Sequence, residues 1–403
     1  MKMDRKSPSS HQKRTSLNLR QYTWEQAAGA FSKVEAVILE TLAEIPEIMD
    51  DAKRYIEIYG RCRDQLLEKK TFQLYLSILK ALNHIMQFFV DSSWSKVYQP
   101  ILKQSSYKSK LLESCKDIRL RDMQATEKKK IVEGKRERDL EQAKGLLDVL
   151  GYDPDVVLTD TEKCLGLGAA MAETDKARAA ALVDDPTFKD FMTKATSSSV
   201  LLVNGNEDLS SAEGISPLSL VAARLAQISE QNETAQGLTL KYFCAEHSPY
   251  GTESQTSSPA ETMMASLIGQ LVSHILSRSV EIDLSFLVPE NWAVFGNLNL
   301  KLMCTVFFEL VKQLPSNTIL LCILDEVALY ETGVPKHSMD TVVRRLVRLV
   351  EASDEIVFKL LVTCRGRSLG IGQYFTGHTL DLDEEVEVED SSTWRIASMR
   401  LKP

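Results

Sequence analysis

Three stretches carry residue types that could do chemistry. The first is SVLLVNGNEDLSSAEGISPLSL, from Ser199 to Leu220. An apolar run leads into a loop holding Gly205 and Gly214, and a helix start at Ser216-Pro217 follows. Backbone N–H groups and a helix N-terminus in that arrangement can face an anion. A working phosphate loop reads G-x-x-x-x-G-K-[ST], with a lysine for the β and γ phosphates and a hydroxyl for magnesium. Here eight residues separate the glycines, and Ile215 stands where the lysine belongs. Ser216 retains a hydroxyl for magnesium. A charge-assisted hydrogen bond contributes roughly 1.5–3 kcal/mol, so its loss weakens phosphate binding by about 10- to 100-fold. Hydrolysis depends more heavily on such charge and suffers more. A strand, a glycine loop and a helix are also the plain connection of many α/β domains.

The second stretch is TILLCILDE, an apolar run ending in Asp325-Glu326. An acid at such a strand end can hold the magnesium shell, and the next can orient an attacking water. The competing reading is two acids opening an exposed loop. The third is KLLVTCRGRS, which delivers Thr363, Arg365 and Arg367 to the end of another strand. Ligands bind at the carboxyl ends of strands in open α/β sheets. A polar residue there can sense a phosphate, and an arginine can stabilise transferred charge. Surface arginines in a loop explain the same letters.

Composition narrows the field. The chain has 403 residues and a net charge of -8. The length suits two or three domains, and the charge argues against a general nucleic-acid binder. Seven cysteines are scattered singly, several in apolar runs. They read as buried thiols in a reducing, cytoplasmic setting, not as a disulfide framework. Cys244 and His247 lack a second pair to complete a metal site, so His247 is expected to be an ordinary loop histidine. FQLYLSILKALNHIMQFFV is broken by Gln73, Lys80, Asn83, His84 and Gln87, so no membrane span is expected. The first twenty residues hold six Lys/Arg and one acid; they read as a basic tail without a secretory core.

The elements that must position these residues fall into two blocks. Residues 21–150 read as a helical domain behind a disordered tail, 1–20. Phe72, Tyr75, Leu76, Leu79, Leu82, Ile85, Met86 and Phe89 follow 3–4 spacing and predict the spine of a bundle. Lys108 to Lys144, densely charged with both signs, predicts a long solvated helix of coiled-coil type. Residues 151–196 read as a helical linker, with Asp185 capping a helix that starts at Pro186. From 197 to 390, apolar runs at 199–205, 238–245, 318–325 and 356–363, with an acid-rich candidate edge strand at 378–389, alternate with amphipathic helices. That pattern predicts βα units on a mainly parallel sheet, followed by a tail, 391–403. The expected fold class is therefore α+β multidomain: an all-α N-terminal bundle, then an α/β domain.

The strand-loop LLVNGN…GISPLS, the units LKYFCAEH…ASLIGQLVSHIL and LPSNTILLCILDEVALYE, and FKLLVTCRGRS resemble, in that order, the NACHT/STAND class of P-loop NTPases. The resemblance is closest to fungal nephrocystin-like proteins, and LYLSILKALNHIMQFF with SSWSKVYQPILKQSSYKSKLLE resembles the helical domain ahead of such modules. It implies that Gly205, Gly214, Ser216, Thr363 and Arg365 bind nucleotide, that Asp325 and Glu326 are the Walker B acids, and that Ser216 and Asp325 hold magnesium. The cofactor implied is Mg-ATP or Mg-GTP, weakly bound. Ile215 and the long loop depart from the pattern, and no winged helix or repeat array follows in this sequence.

The expectation is a signalling pseudo-NTPase that acts through protein partners of its helical domain, with homo-oligomers open. One alternative is an active NTPase using Asp325 and Glu326, its lysine supplied by Lys194 or Lys241. Another is a membrane-acting helical effector using the apolar face of residues 70–90.

Overall fold

The computed structural model describes residues 35–58, 64–94, 102–194, 196–207, 215–231, 237–247, 258–278, 280–287, 291–292, 295, 299–332 and 335–382. The basic tail, Gly214, residues 383–390 of the acid-rich stretch and the tail 391–403 lie outside them. Two compact units divide between Arg136 and Glu137. The division at 150 drawn from sequence lies further along, because one helix crosses the boundary.

The first unit holds α1 (35–58), α2 (Gln65–Trp94) and the larger part of α3 (Leu102–Leu150). Asp64 starts α2 by accepting the Leu67 N–H at 2.8 Å. Ile45, Ile48, Ala52 and Tyr55 of α1 pack on Leu67, Leu74, Ile78 and Ala81 of α2 and on Ile118 and Ala125 of α3. Polar ties join the helices: Tyr55 and Thr126 hydroxyls meet at 2.8 Å, and Ser77 donates to Asp117 at 2.7 Å.

The single spine expected along α2 is corrected. Leu74, Ile78, Ala81 and Ile85 face inward, whereas Phe72, Leu79 and Met86 are 63%, 62% and 65% exposed. Spacings of three and four fit both sets, so periodicity merged two faces into one. α3 is charged along its length as expected, yet Cys115, Ile118, Ala125 and Val132 are buried.

The second unit is mixed α/β around a five-stranded parallel sheet. In chain order come α4 (Pro154–Ala169), α5 (Glu173–Asp184), α6 (Pro186–Thr193), β1 (Ser199–Asn204), α7 (Pro217–Gln231), β2 (Gly237–Phe243) and α8 (Pro259–Ser277). Then follow α9 (Leu300–Val311), β3 (Ile319–Asp325), α10 (Lys336–Glu351), β4 (Val357–Cys364) and β5 (Thr379–Asp381). The strand order is β2-β3-β4-β1-β5, every pair parallel. Strands β1 to β4 are buried on both faces, as a sheet covered on both sides requires; in β5 only Leu380 is buried.

One face carries α7 with α4, α5 and α6, packed on Leu201, Val203, Leu321, Ile323 and Leu361. The other carries α8, α9, α10 and the end of α3, packed on Leu202, Leu240, Cys322, Leu360 and Val362. The chain steps outward from β1 to β2 through α7, and back through α8, α9 and α10. Crossovers of one hand demand that reversal of direction be a change of face.

Residues 151–196 are therefore not a linker; Ala179, Leu182, Phe188 and Phe191 are core. Asp185 does cap α6, accepting from Thr187 N at 2.7 Å and Phe188 N at 3.2 Å. Its far end is closed by Lys359 of β4, whose ammonium donates to the Phe191 and Met192 carbonyls at 2.6 and 2.9 Å. Burial pulls that lysine's pKa down to about 8. The edge strand β2 is covered too: the Gln270 amide of α8 bonds both the N–H and the carbonyl of Lys241.

Candidate functional site

The geometry begins with β3 and β4. Leu324 lies beside Val362 in register, so the next pair, Asp325 and Thr363, sits at one level and faces α7. Thr363 Oγ1 donates to Asp325 Oδ1 at 2.5 Å and accepts the Glu326 N–H at 3.1 Å. From above, Ser219 donates to Asp325 Oδ2 at 2.6 Å, with Glu326 Oε1 at 3.3 Å from the same hydroxyl. Asp325 and Glu326 are 1% and 6% exposed. Glu326 is left-handed (φ 56°, ψ 40°), a conformation that costs a non-glycine residue about 1 kcal/mol or more. That bend begins the turn Val327–Tyr330 and keeps the second carboxylate beside the first.

Burial is the first cause of the raised pKa of both carboxyls. Hydrogen bonds from Ser219 and Thr363 oppose it at Asp325. At Glu326 the Asp325 charge adds to it, and the Arg365 charge opposes it. A pair of this kind resists holding two charges without a cation.

The hydroxyl at the carboxylates is Ser219, not Ser216. Ser216 is fully buried and its Oγ accepts the Leu218 N–H at 3.2 Å, so it is spent on starting α7. Pro217 opens that helix. Ser219 sits one turn in, and helical side chains tilt toward the N-terminus, which brings its hydroxyl back to the strand ends. Proline at the first helical position was the signal that could have found it.

Gly205 also has a plain structural reason. Its N–H donates to the Cys364 carbonyl at 2.8 Å, and an added Cβ would lie 2.3 Å from the Arg365 carbonyl oxygen. The ends of β1 and β4 are too close there for a side chain. Arg365 pairs through Nε with Glu207 at 2.7 Å, both side chains mostly buried. Arg178 of α5, which sequence reasoning missed, donates to the Gly205 carbonyl. Two guanidiniums thus flank the Gly205–Glu207 turn. Arg367 is exposed.

Neither candidate lysine is near. Lys241 is buried on Glu230 at 2.5 Å, and Lys194 pairs with Asp190 on α6. The undescribed loop 208–214, DLSSAEG, has no basic residue of its own.

Around the pair, other groups are already engaged. His247 Nε2 lies 2.7 Å from Asp160, and its ring stacks on Tyr242 at 4.8 Å. The histidine expected in a loop is thus tied into the β2 end. Burial first, and nearby carboxylates second, push the Cys164 and Cys244 thiols up, consistent with inert buried cysteines. Glu331, also missed, accepts Leu369, Gly370 and Ile371 N–H groups at 2.9, 2.6 and 2.8 Å. It fixes the loop after β4. Glu331→Gln turns an amide NH2 against those donors, and a loss of about 1–2 kcal/mol is expected from a chemical denaturation curve.

Among the described residues, no group of three or more His, Cys, Asp or Glu side chains is placed to hold a metal ion. Magnesium asks for less: one carboxylate with phosphate and water oxygens serves it. Ser219 and Asp325 fit that smaller donor set. A cleft of about 440 Å³ lies on the opposite face between α8, α9 and α10, beside Arg345 and Arg348.

What fold and site define together is a parallel α/β unit with a hydroxyl-bridged carboxyl pair at its strand ends. No family model, curated protein or solved structure matches the chain.

Proposed function

We propose that this chain is a NACHT/STAND-like regulatory protein with a degenerate nucleotide site, acting mainly through protein contacts of its helical unit. The observation that carries the reading is the Ser219–Asp325–Thr363 cluster under the first turn of α7. A helix hydroxyl bonded to an acid at a neighbouring strand end is the pairing a magnesium–phosphate site needs. The strand order supports it, because β4 brings Thr363 between β1 and the acids of β3. Ser219 and Asp325 would hold magnesium, which would neutralise the carboxyl pair and phosphate oxygens. Gly205, Asn206 and the start of α7 would lie along the phosphates. Arg178 and Arg365 are the cations within reach, but Arg365 is held by Glu207. With no lysine in the loop, binding is expected to be weak and turnover negligible.

The intact carboxyl pair favours one other reading, a working ATPase or GTPase in which Glu326 orients water. Titration calorimetry with MgATP, MgADP and the guanine nucleotides tests both. Binding in the high micromolar range, weakened at least about tenfold by Asp325→Ala, supports the proposal. Turnover that disappears in Glu326→Gln would replace it with the second reading. No heat at millimolar nucleotide would sink both.

A further inference from the structure

The outward face of α2 is built in a pattern that the bundle does not use. Phe72, Leu76, Leu79, Asn83 and Met86 are all exposed, and their spacings run four, three, four, three. These are the d, a, d, a, d positions of a heptad repeat. Positions that a coiled coil turns to water, b, c and f, are here Ser77, Ile78 and Ala81, and they are buried in the bundle. The helix thus carries one seam inward and a second, of coiled-coil spacing, outward.

We propose that this outer seam pairs with the same seam of a second copy of this chain, the two α2 helices running parallel. Asn83 argues for the occupant. It is the one polar residue in the seam and it falls at an a position. In a parallel pair related by a two-fold axis each a residue meets its own copy. An asparagine amide has both donor and acceptor, so it satisfies itself there. A single asparagine at a fixes register and two-strandedness at a cost in affinity. The flanks agree: the g–e′ pairs are Glu68–Gln73, Tyr75–Lys80 and Leu82–Gln87, and none sets like charges together. The seam from Phe72 to Met86 is about 21 Å long, so pairing in the micromolar range is expected.

The test is sedimentation of the full chain, without nucleotide, across a concentration series, so its result is independent of the nucleotide site. A concentration-dependent monomer–dimer equilibrium is expected. Leu79→Glu, a change on a 62% exposed side chain, should weaken it at least about tenfold. Asn83→Leu should do the opposite, tightening association by about tenfold and adding species larger than a dimer. Asn83→Cys should form a covalent dimer on mild oxidation that the native chain does not form and that Leu79→Glu suppresses. A chain that stays monomeric at hundreds of micromolar would overturn the proposal. So would association that Asn83→Leu leaves unchanged or weakens. Loss of vesicle binding in Leu79→Glu, on phosphatidylcholine–phosphatidylglycerol vesicles and without any dimer, would assign the face to a membrane instead.

Discussion

Asp325→Asn is expected to stabilise the empty protein at pH 8, by about half as much at pH 5, and to have little effect near pH 3. Burial raises the Asp325 carboxyl to about 6 from a reference of 3.8. The folded state therefore binds a proton more tightly than the unfolded chain. At pH 8 both states are ionised, and the folded one bears the cost of a buried carboxylate. As pH falls through the folded value and toward the unfolded one, the folded state takes up its proton first and stability rises. Two pKa units correspond to about 3 kcal/mol at 25 °C. Asparagine is neutral at every pH and nearly the same shape, and its amide can still meet Ser219 and Thr363. The gain should approach that size at pH 8, reduced by imperfect hydrogen bonds, fall to about half of it at pH 5 and vanish near pH 3, below the unfolded value. Denaturant melts at four or five pH values read it directly. A variant less stable than the parent at pH 8 would mean that the hydrogen bonds of the ionised carboxylate outweigh its desolvation. The same sign governs metal: magnesium requires the ionised pair, so its binding should tighten with rising pH and release protons.

Much of this unit was legible from residue types. Four apolar runs became β1 to β4 because a parallel sheet covered on both faces leaves no room for alternation; the fifth stretch, acid-rich, contributes the short edge strand β5, in which only Leu380 is buried. Asp325 and Thr363 were legible because polar residues ending such runs can only emerge at the strand ends. What could not be read was the partner across the gap. Ser219 looks like an ordinary helix residue until α7 is laid over β3. Arg178 lies far upstream in a segment that sequence could treat as a linker, since short amphipathic helices announce a buried face without saying against what. Gly205 was legible as important, but not for which reason: a glycine after a strand suits a phosphate, and it equally suits two converging backbones. On α2 the spacing rule itself was ambiguous. A helix with two apolar faces satisfies the pattern twice, and only packing separates Leu74 and Ile78 from Phe72 and Leu79.

Gly205→Ala separates those two roles of the glycine. The new Cβ would sit 2.3 Å from the Arg365 carbonyl oxygen and 3.2 Å from the Arg365 carbonyl carbon. Real contacts of this kind begin about 1 Å further out, and backbone cannot swing aside as a side chain can. The ends of β1 and β4 must part. The bonds at risk are Gly205 N to Cys364 O, Glu207 N to Arg365 O and Asn206 N to Gly366 O, at 2.8, 3.2 and 3.1 Å. A loss of about 3 kcal/mol is expected, larger than most single substitutions cause. The displacement also moves Arg365 relative to Glu326, whose burial-raised carboxyl its charge partly offsets. If Gly205 serves only the strand crossing, the variant loses stability while any nucleotide affinity of the surviving folded protein, measured well below its melting point, stays within about twofold. If the turn also lies along a phosphate, affinity falls by tenfold or more in molecules that remain folded, because the Gly205–Glu207 turn and the arginines beside it are displaced from where the phosphate would lie. Reading stability and binding on one preparation tells the two apart.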